Sequence, residues 1–151
     1  MPESLNSRML RIGFNIHPAY RGTGGRVTYI SSDFREITVR VPLSRRTRNY
    51  VGTIFGGSMF GAVDPMYMIM LMKNLGAGYV VWDKSASIRF RRPGRSALTA
   101  KFTLDQSELD EIRSALAESP STERVYAIDL VDIEGNVCAS VEKRIHIRRK
   151  Q

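Results

Sequence analysis

The sequence predicts an α+β fold in which an antiparallel sheet wraps around one long central helix, and three observations carry the prediction. The run from Gly56 to about Leu75 is apolar on nearly every side, the pattern of a helix enclosed by protein rather than one lying on a surface. Two β-prone segments precede it and four follow it, most of them alternating apolar with polar residues as half-buried antiparallel strands do. The 151 residues match the length of one domain, with no repeat and no linker, so 1–151 reads as a single unit: a helical segment over 1–20 and a core over 25–149.

Taken in order, Leu5, Met9, Ile12 and Ile16 recur at helical spacing ahead of Pro18 and predict a short amphipathic helix. After the turn material Gly22-Thr23-Gly24-Gly25, Val27 to Ser31 reads as a strand. Ile37, Val39, Val41 and Leu43 then alternate with Thr38, Arg40 and Pro42, and the intervening Ser32-Asp33 predicts a hairpin. Within the central run, Met66, Met68, Met70 and Met72 alone would suggest period two. The run is too long for an ordinary strand, however, and Gly76-Ala77-Gly78 is a natural helix stop. Pro65 falls inside that helix or at one of its turns, where it removes an amide donor and bends the axis. Ala86, Ile88 and Phe90 form the next strand, and Leu98, Ala100, Phe102 and Leu104 the one after Pro93-Gly94. Leu109, Ile112 and Leu116 place a short helix over 107–118. Tyr126, Ile128 and Leu130 lead through the turn Glu134-Gly135-Asn136 into a long final strand carrying Val137, Ala139, Val141, Ile145 and Ile147.

Lys and Arg outnumber Asp and Glu by 23 to 15, a net charge of +8, while 42% of residues are hydrophobic. So basic a chain still has the apolar mass for a core, which excludes disorder as its main state. The single cysteine, Cys138, cannot form an internal disulfide, and no charged-then-apolar leader opens the sequence, which sets a cytoplasmic expectation. Tyr50 to Met72 is long enough to span a bilayer, yet the glycines, Asp64 and Pro65 within it argue for a buried helix of a soluble protein. His17 and His146 lack ligand spacing, so no metal and no other cofactor is expected.

The chemistry converges on Asp64, the sole acidic residue between Glu36 and Asp83. On a helix, Gly61 lies one turn earlier and Gly57 two turns earlier on nearly the same face, which reads as an open groove ending in a carboxylate. Gly56 and Gly57 stand where the helix begins, and unpaired amides there can donate to a developing oxyanion. The alternative is structural: the glycines permit close packing, Asp64 caps a helix restarting at Pro65, and Ser58 is a helix-start residue.

Asn49-Tyr50-Val51-Gly52-Thr53-Ile54-Phe55-Gly56-Gly57 followed by Ser58-Met59-Phe60-Gly61-Ala62-Val63-Asp64 resembles the Asn-x-x-Gly, His-Gly-Gly, Ala-Asp pattern of hotdog-fold acyl-CoA thioesterases, especially the phenylacetate-pathway type. The strand and turn Ser87-Ile88-Arg89-Phe90-Arg91-Arg92-Pro93-Gly94 is similar to that family's strand ending in an Arg-Pro turn. Gly52 to Ser58, Asp64 to Met68 and Val81-Trp82-Asp83-Lys84 resemble an uncharacterised bacterial branch of thioesterase-like hotdog proteins. The resemblance implies a hotdog fold, Asp64 as general base or nucleophile, Gly57 as amide donor to the thioester oxygen and Asn49 as a polar group near the site. It also implies a substrate groove that includes Phe55, Gly56, Ser58 and Gly61. Phe55 stands where the family pattern has histidine, and its apolar ring would desolvate the acid and strengthen it as a base.

Arg89, Arg91, Arg92 and Arg95 gather at one strand end, and Lys143, Arg144, Arg148, Arg149 and Lys150 near the terminus. The terminal set reads as a solvated basic face, whereas Arg91, Arg92 and Arg95 suit the phosphates of coenzyme A. No recognition helix or RNA-binding aromatic motif accompanies these charges, which argues against nucleic acid. Cys138 reads as a packed thiol and Trp82 as a core or interface residue. The expected function is hydrolysis of acyl-CoA or a related thioester by a homodimer or dimer of dimers, the alternative a non-catalytic acyl-CoA or lipid-binding protein.

Overall fold

The computed structural model describes residues 1–151 and contains, in chain order, α1 (Leu5–Ile16), α2 (Pro18–Arg21), β1 (Arg26–Ile30), β2 (Glu36–Val41), α3 (Gly56–Val63), α4 (Met66–Leu75), β3 (Tyr79–Phe90), β4 (Leu98–Thr103), α5 (Gln106–Glu118), β5 (Ser121–Val131) and β6 (Val137–Arg149). The six strands form one antiparallel sheet in the order β1-β2-β4-β5-β6-β3, curled around α3 and α4 as the hotdog fold requires. Period-two alternation sets the inner face: Ile37, Val39 and Val41 on β2, Leu98, Ala100 and Phe102 on β4, and Val141, Ile145 and Ile147 on β6 are all buried. Met66, Met70 and Leu71 of α4 are fully buried in the same core.

The central helix is broken by a turn at Asp64-Pro65, between α3 and α4, where the proline, which has no N–H to give, is expected to bend it. Two other local expectations are corrected. The first hairpin turns over residues 31–35 rather than on two residues, with Phe34 in the left-handed region at φ 57° and the Ser31 and Asp33 side chains accepting from the Arg35 amide. On α1, the stripe that predicts the helix, Leu5, Met9, Ile12 and Ile16, is exposed. The opposite face packs instead, because Asn15 exchanges two hydrogen bonds with the Val27 backbone and Glu3 accepts from the Ile30 amide, which turns Leu10 and Phe14 toward the core.

The two margins of the sheet differ. β1 is packed against α1, whereas β3, twelve residues long, pairs with β6 on one side and has no strand on the other. A bulge between Asp83 and Ser85 shifts its register, so that Asp83 points inward and Lys84 outward to Glu123. In mid-sheet, β4 and β5 pair only at Thr99 and Val131, and the splay leaves a polar cleft of about 640 Å³ with Tyr67 at its wall. No helix is long and apolar enough to cross a membrane.

Candidate functional site

The interruption at Asp64-Pro65 brings the expected acid into contact with the sheet. The Asp64 amide still donates to the Phe60 carbonyl at 3.0 Å, but the Asp64 side chain makes no capping bond to α4. The capping alternative therefore gives way to an ion pair: the Asp64 carboxylate accepts from Lys143 Nζ, an inward-facing residue of β6. The same ammonium donates to the Asp64 carbonyl at 3.1 Å and to Asp83 Oδ2 at 2.9 Å, and lies 5.6 Å from the centre of the Phe60 ring. Three donors thus meet three acceptors, the arrangement a buried ammonium needs. The Lys143 side chain is 3% exposed against 44% for Asp64 and 27% for Asp83, so the cation is sealed in while the Asp64 carboxylate reaches the surface. Asp83 Oδ1 is buried with no hydrogen-bond partner.

Lys143 and Asp83 are missed by the sequence reading, which places Lys143 in a solvated basic terminus. The signal was available: Val141, Lys143 and Ile145 occupy successive inward positions of one strand.

A cleft of about 500 Å³ opens beside Asp64, between the two N-terminal helices and the end of α3, lined by Leu10, Phe14, Tyr20, Gly61 and Pro65 among others. The Tyr20 hydroxyl ties its wall to α3 by donating to the Ala62 carbonyl at 2.7 Å, and burial holds this phenol well above its usual range. The glycine stripe itself is not the open channel expected. A Cβ on Gly61 would come within 2.8 Å of the Thr23 methyl, and one on Gly57 within 2.3 Å of the Phe55 ring. Thr23 explains Gly61, which lines the cleft, whereas over Gly57 the neighbour is the ring end of the exposed Phe55.

The remaining predicted residues gather at the opposite end of α3. Gly56 packs under Phe90, the last residue of β3, at 2.8 Å from a would-be Cβ. Neither the Gly56 nor the Gly57 N–H donates within the chain, Gly57 is exposed, and Ser58 is buried behind it. Arg91, Arg92 and Arg95 are exposed in the turn that leaves Phe90, and the Ile54 amide donates to the Gly94 carbonyl of that turn at 2.9 Å, docking it beside the start of α3. Asn49 is occupied elsewhere: its Oδ1 accepts from the Val51 and Thr53 amides and its Nδ2 donates to Thr53 Oγ1, which closes the 49–53 loop. Phe55 covers Gly57 and so stands at the far end of the helix from Asp64.

Gly57 and Asp64 are thus about 10 Å apart along one helix at the usual rise per residue. A carbonyl attacked directly must lie about 3 Å from both the oxyanion donor and the nucleophile, a spacing that Gly57 and Asp64 of one chain do not offer.

Cys138 is fully buried, and burial together with the nearby Asp132 pushes its thiol up, the state of a packed rather than a reactive cysteine. Trp82 faces outward on β3, its ring 4.4 Å from that of His146 and tilted by 32°, with the Arg148 guanidinium 5.9 Å from its centre.

A model of the family described as a domain of unknown function, DUF4442, matches residues 6–147. No curated protein matches the chain. Among solved structures, PA5026 from Pseudomonas aeruginosa, described as a probable thioesterase, superposes with a TM-score of 0.84 at 18% identity, covering 99% of both chains. OLEI01261 from Chlorobaculum tepidum, described as of unknown function, gives 0.76 at 14% identity over 96% of this chain and 95% of that one. The thioesterase HI1161 from Haemophilus influenzae gives 0.71 at 17% identity over 97% and 93%. At these identities the likeness is one of fold.

Proposed function

Because the chain belongs to the DUF4442 family and carries a surface-reaching carboxylate at an apolar cleft of a hotdog fold, we propose that it hydrolyses acyl-CoA or a related thioester. The observation that supports this most is the placement of Asp64: one oxygen is held by a sealed lysine, and the carboxylate borders a cleft able to hold an acyl group. Asp64 takes a proton from the attacking water and returns it to the thiolate as the carrier leaves, or attacks the carbonyl directly, expelling the thiolate and forming an acyl-aspartyl anhydride that water then cleaves. The phenylacetate-pathway type is the pattern the motif follows, with Phe55 in place of its histidine.

The spacing along α3 supports a site shared by two copies, in which the Gly57 amide of one chain faces the Asp64 carboxylate of another. The open margin of β3 is where copies would join, since alternate residues of this twelve-residue strand have unpaired backbone groups on its free side. The half-exposed Met72 on α4 likewise calls for cover beyond one sheet. Light scattering at micromolar concentration is expected to give a dimer or dimer of dimers. A monomer would remove the shared site.

Coenzyme A phosphates suit the arginine turn beside Gly57. Replacing Arg91, Arg92 and Arg95 by alanine is expected to reduce kcat/KM for acyl-CoA by about tenfold and to flatten its salt dependence, with little effect on a short thioester lacking the nucleotide. Equal losses on both substrates would point to folding damage instead. The unbridged, buried Cys138 suits the reducing cytoplasm in which such a reaction would run.

A further inference from the structure

We propose that the cleft between α1, α2 and the end of α3 holds an apolar acyl chain, and that Gly13 sets how much of that chain fits; this rests on the thioester reading above. The cleft has the size of an ordinary small-molecule site, and its wall toward α1 is made by Leu10, Gly13 and Phe14. Asp64 stands on the opposite wall, so a chain lying in the cleft places its carboxyl end beside the proposed base.

The α1 wall is built rather than incidental. Ser4 and Ser7 form a reciprocal cap at its start, Arg11 pairs with Glu3 at 2.8 Å, and Asn15 clasps the Val27 backbone near its end. Tyr20 then bolts the following turn to Ala62. The cap and the Arg11–Glu3 pair stiffen α1 itself, while Asn15 on Val27 and Glu3 on the Ile30 amide tie it to β1, so this wall stands without a ligand to prop it.

Gly13 is the position in this wall whose identity packing does not explain. Gly13 is exposed at the rim of the cleft and a Cβ there would meet nothing within 4 Å, whereas Gly61 across the cleft is held to glycine by Thr23. Glycine in the interior of a helix is unfavourable, and alanine would fit without a clash. What glycine leaves at this point is an unobstructed rim, over which a bulky side chain would lean into the cleft. A short acyl group does not need that space, and a long one does.

The test uses the full chain, wild type and Gly13→Leu, with S-decyl-coenzyme A as a non-hydrolysable thioether probe. Binding is followed by amide chemical shifts, and hydrolysis is compared between decanoyl-CoA and acetyl-CoA. The thioether is expected to shift the Gly13 and Gly61 amides in the wild type. Gly13→Leu is expected to weaken its binding by about tenfold or more and to lower kcat/KM for decanoyl-CoA as much, leaving acetyl-CoA within about twofold and thermal stability intact. Unchanged decyl binding, equal losses on both substrates, or shifts confined to the Tyr67 and Thr99 cleft would overturn the assignment. Tight binding at Gly13 and Gly61 that the leucine abolishes, with no hydrolysis of any thioester by the wild type, would sink the catalytic reading and leave the acyl site standing.

Discussion

Asp64→Asn is expected to lower thioester turnover by about a hundredfold or more while leaving acyl-CoA affinity close to that of the wild type. Asparagine keeps the size of the side chain and can still accept a hydrogen bond from Lys143, but it neither takes a proton from water nor attacks a carbonyl. The fold is expected to survive, because Lys143 retains the Asp64 carbonyl at 3.1 Å and the Asp83 carboxylate at 2.9 Å. A role confined to holding Lys143 would leave turnover unchanged, since asparagine still accepts from the ammonium. Turnover and affinity are to be measured after thermal melts show equal stability. Full retention of hydrolysis would remove Asp64 from the chemistry, and tight acyl-CoA binding with no hydrolysis by either protein would make this a binding protein.

Lys143→Met is expected to cost about 2–3 kcal/mol of stability, read as a lower urea midpoint at unchanged slope. Methionine preserves most of the aliphatic volume, so the loss is that of the charge. Removing one partner of a fully buried pair costs about 3–5 kcal/mol, and the figure is reduced here because Asp64 can turn to water. Asp83 cannot do so freely, with Oδ1 already buried and unpartnered. Asp83→Asn added to Lys143→Met is therefore expected to recover part of the loss by removing the stranded charge. A Lys143→Met protein as stable as the wild type would show that the ammonium holds neither carboxylate.

The scaffold was legible in the sequence because its signals are periodic. Ile37, Val39 and Val41 mark one face of a strand, and the length of the methionine-rich run ending at Gly76 decides for a buried helix over a strand. The acid was legible because a lone carboxylate in an apolar run is conspicuous. Its partner was not, since Lys143 sits among Arg144, Arg148 and Arg149, where the local charge hides an inward position that alternation alone reveals. Asp83 was hidden for another reason: the bulge at Lys84 breaks the alternation, so counting back from Phe90 assigns Asp83 to the outer face. On α1, two apolar stripes competed, and tethers contributed by Glu3 and Asn15 decided which of them faces the core. No pattern within the helix expresses that choice.

The order of the strands also bears on how the chain is made. β3 finds its only strand partner in β6, pairing Tyr79 with Arg149 and Phe90 with Ala139. When β3 leaves the ribosome, the residues that will hold it have not been synthesised, and the whole of β4, α5 and β5 must follow first. Such long-range pairing is slow to form and leaves a strand open to wrong associations in the meantime. The segment carries its own protection, because Asp83, Lys84 and Arg89 interrupt the apolar residues that would otherwise favour stacking with other nascent chains. The Asp83 carboxylate that later helps to seal Lys143 therefore first serves the unfinished polypeptide as a charge that discourages aggregation.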